Sequence, residues 1–209
     1  MTKVMIPSED TITSGQIGKI QEDLGAALRK SGLLREAVQQ LIETQSAALN
    51  VELVAAIRKR VEAMSSIIVR RVKVDRIRTP QAMLTATGRK QYVTDSVVSA
   101  MPHGTGDEVE VFFFKPDLKA RKGYISDADL DLEYELRGLK PADPYSQGAV
   151  NEDDPAFADG HPNGTHWKDT QDKWCYAAFY RWHDGERRVL VYRGGNDWSA
   201  YGWFAGLRK

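Results

Sequence analysis

All five tryptophans of this 209-residue chain lie in its last 43 residues, together with four tyrosines and two phenylalanines. The segment therefore holds eleven of the nineteen aromatic residues of the protein. Aromatic rings bury more area than other side chains and commonly form the core of a small sheet, while exposed rings often mark a ligand or partner surface. The sequence thus predicts that part of the core and a contact surface lie in this segment.

A β-hairpin is predicted within the aromatic segment. Asp184 and Gly185 separate two β-prone runs, WCYAAFYR and RRVLVYR, and an Asp-Gly pair in that position is a strong hairpin signal. After a turn at 194–196, residues 198–209 predict a third strand. We therefore expect a small antiparallel meander over the last part of the chain.

A two-residue turn also fixes which side chains face each other across the hairpin. The predicted pairs are Trp182 with Arg187, Tyr176 with Arg193, and Arg181 with Arg188. The first two are cation–π pairs, whereas directly opposed arginines destabilise a sheet. Two opposed arginines are tolerated at a solvated hairpin tip, and they would also suit a site where an anion binds.

The first third of the chain predicts helices that each have one apolar face. Ser14 has the chemistry of an N-cap, and Gly32 that of a helix stop. Apolar residues recur at helical spacing in three runs: Ile17, Ile20, Leu24 and Leu28; Leu34, Ala37, Val38, Leu41 and Ile42; Val54, Ile57, Val61 and Met64. Three short helices would form an antiparallel unit, whose apolar faces make either a core or an oligomerisation surface.

The rest of the chain predicts strands and short helices. Residues 67–74 are rich in β-branched side chains and are interpreted as a strand, although the helical spacing of apolar residues continues into them. Side chains in residues 108–114 alternate in character as they do in a strand. Helices are predicted to begin at four N-cap residues: Thr79, Ser126, Asp143 and Asp154. The predicted fold class is α+β, with a helical unit at 1–64, a mixed segment at 65–160 and an aromatic antiparallel β-meander at 161–209.

Charge is unevenly distributed, although the formal net charge is zero. The balances are +5 over residues 1–100, −9 over 101–172 and +4 over 173–209. The sharpest feature is a basic segment at 58–90, which carries ten Lys and Arg residues against two acids. Such clustering indicates binding to a polyanion such as nucleic acid, or contact with the acidic middle segment of the same or another chain.

Common catalytic and cofactor motifs are missing from the sequence, so no cofactor, metal or catalytic residue is predicted. Cys175 is the only cysteine, which excludes an intrachain disulfide and a thiolate-rich zinc site within one chain. His161, His166 and His183 lie near it in the sequence, but their spacing matches no tight zinc-ligand pattern.

Carboxylates are the remaining candidates for chemistry. Asp127, Asp131 and Glu135 share one face of a predicted helix at i, i+4 spacing, and residues 152–154 are consecutive acids. Paired carboxylates can act in acid–base or metal chemistry when burial separates their pKa values, whereas acids near a helix start also stabilise the helix dipole. A Cys175 nucleophile would lie in mid-strand without an evident activator.

No stretch of the sequence is long and apolar enough for a membrane helix, and the first ten residues lack the apolar core of a signal peptide. We therefore expect a cytoplasmic protein without a membrane partner.

Four stretches of the chain resemble segments of uncharacterised bacterial and mobile-element open reading frames. They are TPQAMLTATGRKQYV, EYELRGLKPADPY, VNEDDPAFADGHPN and THWKDTQDKWCYAAF. The resemblance covers about residues 60–209. It implies no activity, cofactor or catalytic residue.

The sequence favours a non-enzymatic binding or interaction protein whose aromatic C-terminal surface contacts a protein or small molecule. The predicted contact residues are Trp174, Tyr176, Tyr180, Trp182, Arg187, Arg193 and Trp203. The alternative is a nucleic-acid-binding protein that uses the basic segment, where the candidate phosphate contacts are Arg70, Arg71, Lys73, Arg76 and Arg78. A third interpretation is a hydrolase that depends on carboxylates or on a metal.

Overall fold

The computed structural model describes residues 12–116, 123–194, 198–199 and 202–209. They fall into two compact units, whose described parts begin at residues 12 and 66. The first unit consists of helices, and the second combines strands with short helices. The chain is therefore α+β, as predicted.

The helical unit begins with α1, Ser14–Lys30. Its N-cap is Thr13 rather than the predicted Ser14, because Thr13 forms a capping box: its hydroxyl accepts from the amide of Gln16, and the Gln16 side chain accepts from the amide of Thr13. Gly32 follows the helix with a φ of 71°, which suits the predicted stop.

The predicted second and third helices lie on the two sides of a kink at Gln45 within α2, Arg35–Met64, where a short connection was expected. Neither glycine nor proline occurs between residues 34 and 79, so the sequence contains no strong signal to end a helix there. The interruption is limited to Gln45, whose φ of −134° and ψ of 17° are not helical. None of the described side chains of α1 and α2 is buried.

The second unit contains five helices and ten strands among its described residues. The helices are α3 (Pro80–Ala86), α4 (Asp95–Val98), α5 (Asp127–Leu136), α6 (Pro144–Asp153) and α7 (Phe157–Gly160). The strands are β1 (Ile67–Lys73), β2 (Lys90–Val93), β3 (Glu108–Phe114), β4 (Tyr124–Ile125), β5 (Leu139–Pro141), β6 (Asn163–Lys168), β7 (Trp174–Arg181), β8 (Arg187–Arg193), β9 (Trp198–Ser199) and β10 (Trp203–Arg208). The predicted strands at 67–74 and 108–114 are confirmed.

Side-chain caps set the starts of three of these helices. Thr79, Ser126 and Asp143 each accept a hydrogen bond from a backbone amide in the first turn of α3, α5 and α6, as predicted. Asp154 does not cap a helix, because its carboxylate accepts from the amide of Ala156 in a local turn and α7 begins only at Phe157.

The strands form one large mixed sheet and one small sheet. The order in the large sheet is β1-β3-β10-β6-β7-β8-β2, and β5 pairs with β10. Neighbours are antiparallel except β10 with β6 and β2 with β8, which are parallel. The small sheet consists of β4 and β9.

The antiparallel meander consists of β6, β7 and β8. Its third strand is β6 and not the last segment of the chain, which is a correction to the prediction. The last segment supplies β10, which pairs with β3, β5 and β6. Residues 203–206 are all buried, and burial on both faces suits a central strand. Gly195 and Asn196 of the predicted turn, and Tyr201, lie outside the described residues.

The hairpin of β7 and β8 forms where predicted, but its loop has three residues rather than two. The amide of Trp182 donates to the carbonyl of Glu186 at 2.8 Å, which leaves residues 183–185 in the loop. Gly185 closes the loop with a φ of 90°, a left-handed conformation that glycine adopts without strain. Every pair along the hairpin is therefore shifted by one residue from the predicted register.

The main core lies on one face of the large sheet, against short helices that include α3, α6 and α7. It includes Ile68, Leu84, Val111, Phe113, Tyr145, Phe157, Phe179, Val189 and Val191. On the other face, α5 covers part of the sheet, since Tyr134 lies edge-on to Phe114 at 5.0 Å and donates a hydrogen bond to the carbonyl of Ala205 at 2.8 Å.

Candidate functional site

The second face of β7 and β8 carries aromatic side chains that are only half-buried. Alternation along β7 sends Cys175, Ala177 and Phe179 into the core and leaves Tyr176 and Tyr180 on this second face. On β8 the same face carries Arg188, Leu190 and Tyr192, which lie opposite Tyr180, Ala178 and Tyr176. The observed register therefore gathers three tyrosines on one side of the hairpin.

A cavity of about 300 Å³ opens on this face, and we call it the aromatic groove. Its lining includes Gly164, Tyr176, Ala178, Tyr180, Leu190, Trp198 and Phe204. Among the described residues that line the groove, none has a charged side chain. Burial raises the pKa of Tyr180, which further favours its uncharged hydroxyl. The groove is therefore an uncharged, ring-lined site of a volume that small-molecule ligands occupy.

Trp198 forms one wall of the aromatic groove and is held from several sides. Its ring meets Tyr176 at 5.4 Å and Phe204 at 5.2 Å, both edge-on. A Cβ added at Gly164 would lie 2.7 Å from the Trp198 ring, so only glycine allows the indole to approach β6 this closely.

A buried histidine lies behind Trp198, between two carboxylates of α5. His166 Nδ1 is 2.8 Å from Asp127 Oδ1, and His166 Nε2 is 2.9 Å from Asp131 Oδ1. The indole of Trp198 donates to the same Asp127 oxygen at 2.9 Å. Since Asp127 and Asp131 are one helical turn apart, both carboxylates reach one imidazole from a single face of α5.

The two carboxylates favour the charged form of His166. Burial alone lowers the pKa of His166, but the hydrogen bonds and charges of Asp127 and Asp131 outweigh it and raise the pKa above the ordinary value of 6.5. With both ring nitrogens protonated, the imidazolium donates one hydrogen bond to each carboxylate. Asp127 is 6% exposed and Asp131 is 45% exposed, so only Asp131 presents much of its carboxylate to solvent.

A second cavity, of about 470 Å³, lies on the Asp131 side of this cluster. It is lined by charged side chains of both signs, namely Asp131, Lys140, Asp143 and Lys168, and by the rings of His166, Trp167 and Trp174. Trp174 stacks on His166 at 4.6 Å between ring centroids. Asp127 Oδ1 therefore joins Trp198, which lines the uncharged groove, to His166, which lines the charged cavity.

The predicted aromatic contact residues are divided among different environments. Tyr176 and Tyr180 line the aromatic groove, whereas Trp174 lies against His166 in the charged cavity. Trp182 is 41% exposed at the end of β7. Trp203 borders the groove but belongs to the main core and is 7% exposed.

The predicted cation–π pairs of the hairpin are not formed, because the register is shifted. Arg188 lies over the ring of Trp182 at 5.0 Å, a role predicted for Arg187. Arg193 lies opposite Cys175 instead of Tyr176 and forms an ion pair with Asp169 at 2.7 Å.

The opposed arginines of the hairpin share a carboxylate. In the observed register Arg181 lies opposite Arg187. Asp159 of α7 accepts from Arg187 Nη2 at 2.7 Å, and Arg181 Nη1 is 3.8 Å from the same oxygen. The anion beside these arginines is therefore a side chain of the protein itself.

Carboxylates of the acidic middle segment bind several arginines of the basic segment. Arg71 pairs with Glu110 at 2.8 Å, Arg76 with Asp143 at 2.9 Å and Arg78 with Glu152 at 2.7 Å. Arg70 and Arg71 are consecutive in β1 and so lie on opposite faces of the sheet, and Lys73 lies opposite Glu108. The five candidate residues are therefore spread over separate local contacts, and nucleic-acid binding by this segment stays a prediction.

Cys175 and the histidines near it in sequence are not gathered into one site. Cys175 faces the core, where burial and then the charge of Asp169 raise the pKa of its thiol. His161 stacks on Phe157, and His183 lies in the hairpin loop. Across the described part of the chain, no group of three or more His, Cys, Asp or Glu side chains is placed to hold a metal ion.

The contact between His166 and α5 was missed by the sequence analysis. Asp127 and Asp131 were noted as one helix face, and His166 as a possible ligand, but the two groups are 35 to 39 residues apart. The available signal was the pair of aspartates at i, i+4 spacing at a helix start, together with a histidine in an aromatic strand.

Comparison with family models, curated proteins and solved structures finds no match to this chain. The resemblance to mobile-element reading frames thus remains a prediction. Within the described ranges, no helix combines the length and apolar character needed to cross a membrane.

Proposed function

We propose that the protein is a binding protein whose aromatic groove takes an uncharged small molecule with a flat ring. The observation that carries this proposal is the groove itself, with Tyr176, Tyr180 and Trp198 around a floor of Gly164 and Ala178. Rings in this arrangement offer stacking and edge-on contacts, and the tyrosine hydroxyls offer a few directional hydrogen bonds.

The lack of charge among the described lining residues favours a neutral ligand. A carboxylate between these rings would lose its hydration without an oppositely charged lining residue, and an ammonium would gain only cation–π contacts of about 0.5–2 kcal/mol. A neutral ring loses little hydration and gains contact area, so we expect neutral compounds to bind more tightly than charged ones of the same shape.

Ligand-detected NMR with three compounds that share the indole ring tests this proposal: neutral indole, anionic indole-3-acetate and cationic tryptamine. Indole should bind best. Replacing Ala178→Trp fills the groove and should abolish binding, whereas Tyr176→Ala removes one ring and should weaken it about fivefold, for an aromatic contact of about 1 kcal/mol.

Tyr192→Ala is the matched control, because Tyr192 lies on the same sheet face but does not line the groove. It should leave indole binding unchanged. The proposal fails if none of the compounds binds, if the charged compounds bind as well as indole, or if folded Ala178→Trp and Tyr176→Ala variants both bind like the parent.

We also propose that the chain self-associates through its N-terminal helices. The supporting observation is that none of the described side chains of α1 and α2 is buried, although Ile17, Leu28 and Val54 are large and apolar. Light scattering over a concentration series tests this, and a mass that stays at 23.5 kDa throughout would contradict it.

A further inference from the structure

The long helix α2 carries its charges in two blocks of opposite sign. Residues 35–52 hold Glu36, Glu43 and Glu52 against Arg35, a balance of −2. Residues 53–64 hold Arg58, Lys59 and Arg60 against Glu62, a balance of +2. The helix is therefore acidic along its first part and basic along its last part.

Both blocks of α2 also carry exposed apolar side chains at coiled-coil spacing. In the basic block the steps between Val54, Ile57, Val61 and Met64 are three, four and three residues, and all four are exposed. Met64 is 90% exposed. In the acidic block Ile42 is exposed and Val38 and Leu41 are half-buried, and Leu34 is exposed immediately before α2. Both charge blocks of α2 thus expose apolar side chains, and the kink at Gln45 lies between the two sets.

The chain's own α1 is too short to cover the apolar side chains of both blocks. With a rise of about 1.5 Å per residue, the 17 residues of α1 span about 25 Å, and the 30 residues of α2 follow a path of about 45 Å that is kinked at Gln45. Even full alignment would leave about 20 Å of α2 without a helical neighbour in this unit.

We infer that α2 pairs antiparallel with α2 of a second copy of this chain, an arrangement that rests on the self-association proposed above. Antiparallel pairing lays the acidic block of each copy against the basic block of the other, and it brings the exposed apolar side chains of both copies near the contact. Parallel pairing would set acid against acid and base against base, which charge repulsion opposes.

The two-block pattern fits a second copy better than it fits nucleic acid. A polyanion would attract Arg58, Lys59 and Arg60 but repel the acidic block and leave the apolar side chains exposed. A two-fold antiparallel contact uses both charge blocks and also covers exposed apolar side chains, because the contact between an acidic and a basic block occurs twice in the dimer.

Charge reversal in the full chain tests the pairing. One variant carries Arg58→Glu, Lys59→Glu and Arg60→Glu, and the other carries Glu36→Lys, Glu43→Lys and Glu52→Lys. Each variant alone should be monomeric by light scattering, because both blocks of its α2 then carry a net charge of the same sign. An equimolar mixture of the two variants should form a dimer of twice the monomer mass. A variant that carries all six substitutions has its acidic and basic blocks exchanged, and it should dimerise like the parent. Since all five tryptophans lie after residue 166, their fluorescence verifies folding of the second unit independently.

Single cysteines report the orientation, because the native Cys175 is 1% exposed. Chains with Glu36→Cys should form disulfides with chains that carry Val61→Cys, and neither should form them with its own kind. Disulfides within the Glu36→Cys sample would overturn the antiparallel arrangement. A parent dimer that both charge reversals leave intact would also overturn it, while preserving self-association. A monomeric parent would instead remove both proposals.

Discussion

The indole of Trp198 and the carboxylate of Asp127 are joined by a hydrogen bond of 2.9 Å, and the bonded oxygen also contacts His166. Trp198 belongs to a two-residue strand, so few backbone contacts orient its ring. Its position as a wall of the aromatic groove therefore depends on a buried charged pair beneath it.

Replacing Asp127→Asn should destabilise the fold by about 3 kcal/mol, because it removes the buried negative partner of a buried imidazolium. It should also weaken indole binding, since Trp198 loses its charged acceptor. Urea unfolding measures the first effect and NMR titration the second. Asp131→Asn is the matched comparison, because the same imidazole then loses a carboxylate that is 45% exposed. The free energy of unfolding should fall by about 1 kcal/mol or less. Equal effects of the two changes would contradict this account.

The stability of the protein should depend on the titration of His166. Its pKa is raised in the folded state, so the stabilisation is fully present below about pH 6.5, the unfolded value, and is lost as pH rises through the folded pKa. We expect the difference in unfolding free energy between the parent and His166→Gln to shrink as pH rises above 6.5. Urea unfolding at pH values on both sides of neutrality measures this difference. A difference that grows as pH rises would contradict the prediction.

Gly164→Ala should disturb the aromatic groove, because the added Cβ would lie 2.7 Å from the Trp198 ring. We expect the free energy of unfolding to fall by about 1–3 kcal/mol, as it does at overpacked sites. The near-ultraviolet circular dichroism of tryptophan should also change. Gly160→Ala is the control, since nothing lies within 4 Å of its added Cβ. An unchanged spectrum for Gly164→Ala would mean that Trp198 is not held as described.

Asp159→Asn should destabilise the β7–β8 hairpin, because Arg181 and Arg187 would remain opposed without their shared carboxylate. The effect should be smaller than that of Asp127→Asn, since both arginines are partly exposed, and raised salt should reduce it. Adding Arg181→Thr should restore part of the stability by removing one like charge. Thermal unfolding of the single and double variants decides this, and a lack of rescue would count against charge repulsion.

Local features of the sequence predicted the second unit well. The caps at Thr79, Ser126 and Asp143 and the strands at 67–74 and 108–114 follow from side-chain chemistry within a few residues. The hairpin was placed correctly, but its register was predicted one residue away from the observed one. The reason is that a three-residue loop closed by left-handed Gly185 contains the same Asp-Gly pair as a two-residue turn. That single residue decided which arginines lie opposite each other.

Long-range contacts were not accessible to the same reasoning. Asp127 lies 39 residues from His166 and 71 from Trp198, and nothing in local spacing joins them. The tyrosines of the aromatic groove were predicted as contact residues, whereas Trp198 and Gly164 enter the groove only through β9 and β6. The parallel pairing of β10 with β6 likewise depends on which strands the core brings together.

The central place of β10 has a consequence for the order in which the protein can fold. This strand joins the β1-β3 pair to the β6-β7-β8-β2 group, yet both groups precede it in the chain. During synthesis the ribosome therefore completes two separate strand groups before it supplies residues 203–208 that link them. Until then the pairing edges of β3 and β6 stay open, so nascent chains should be prone to association and should complete their sheet only after translation of β10.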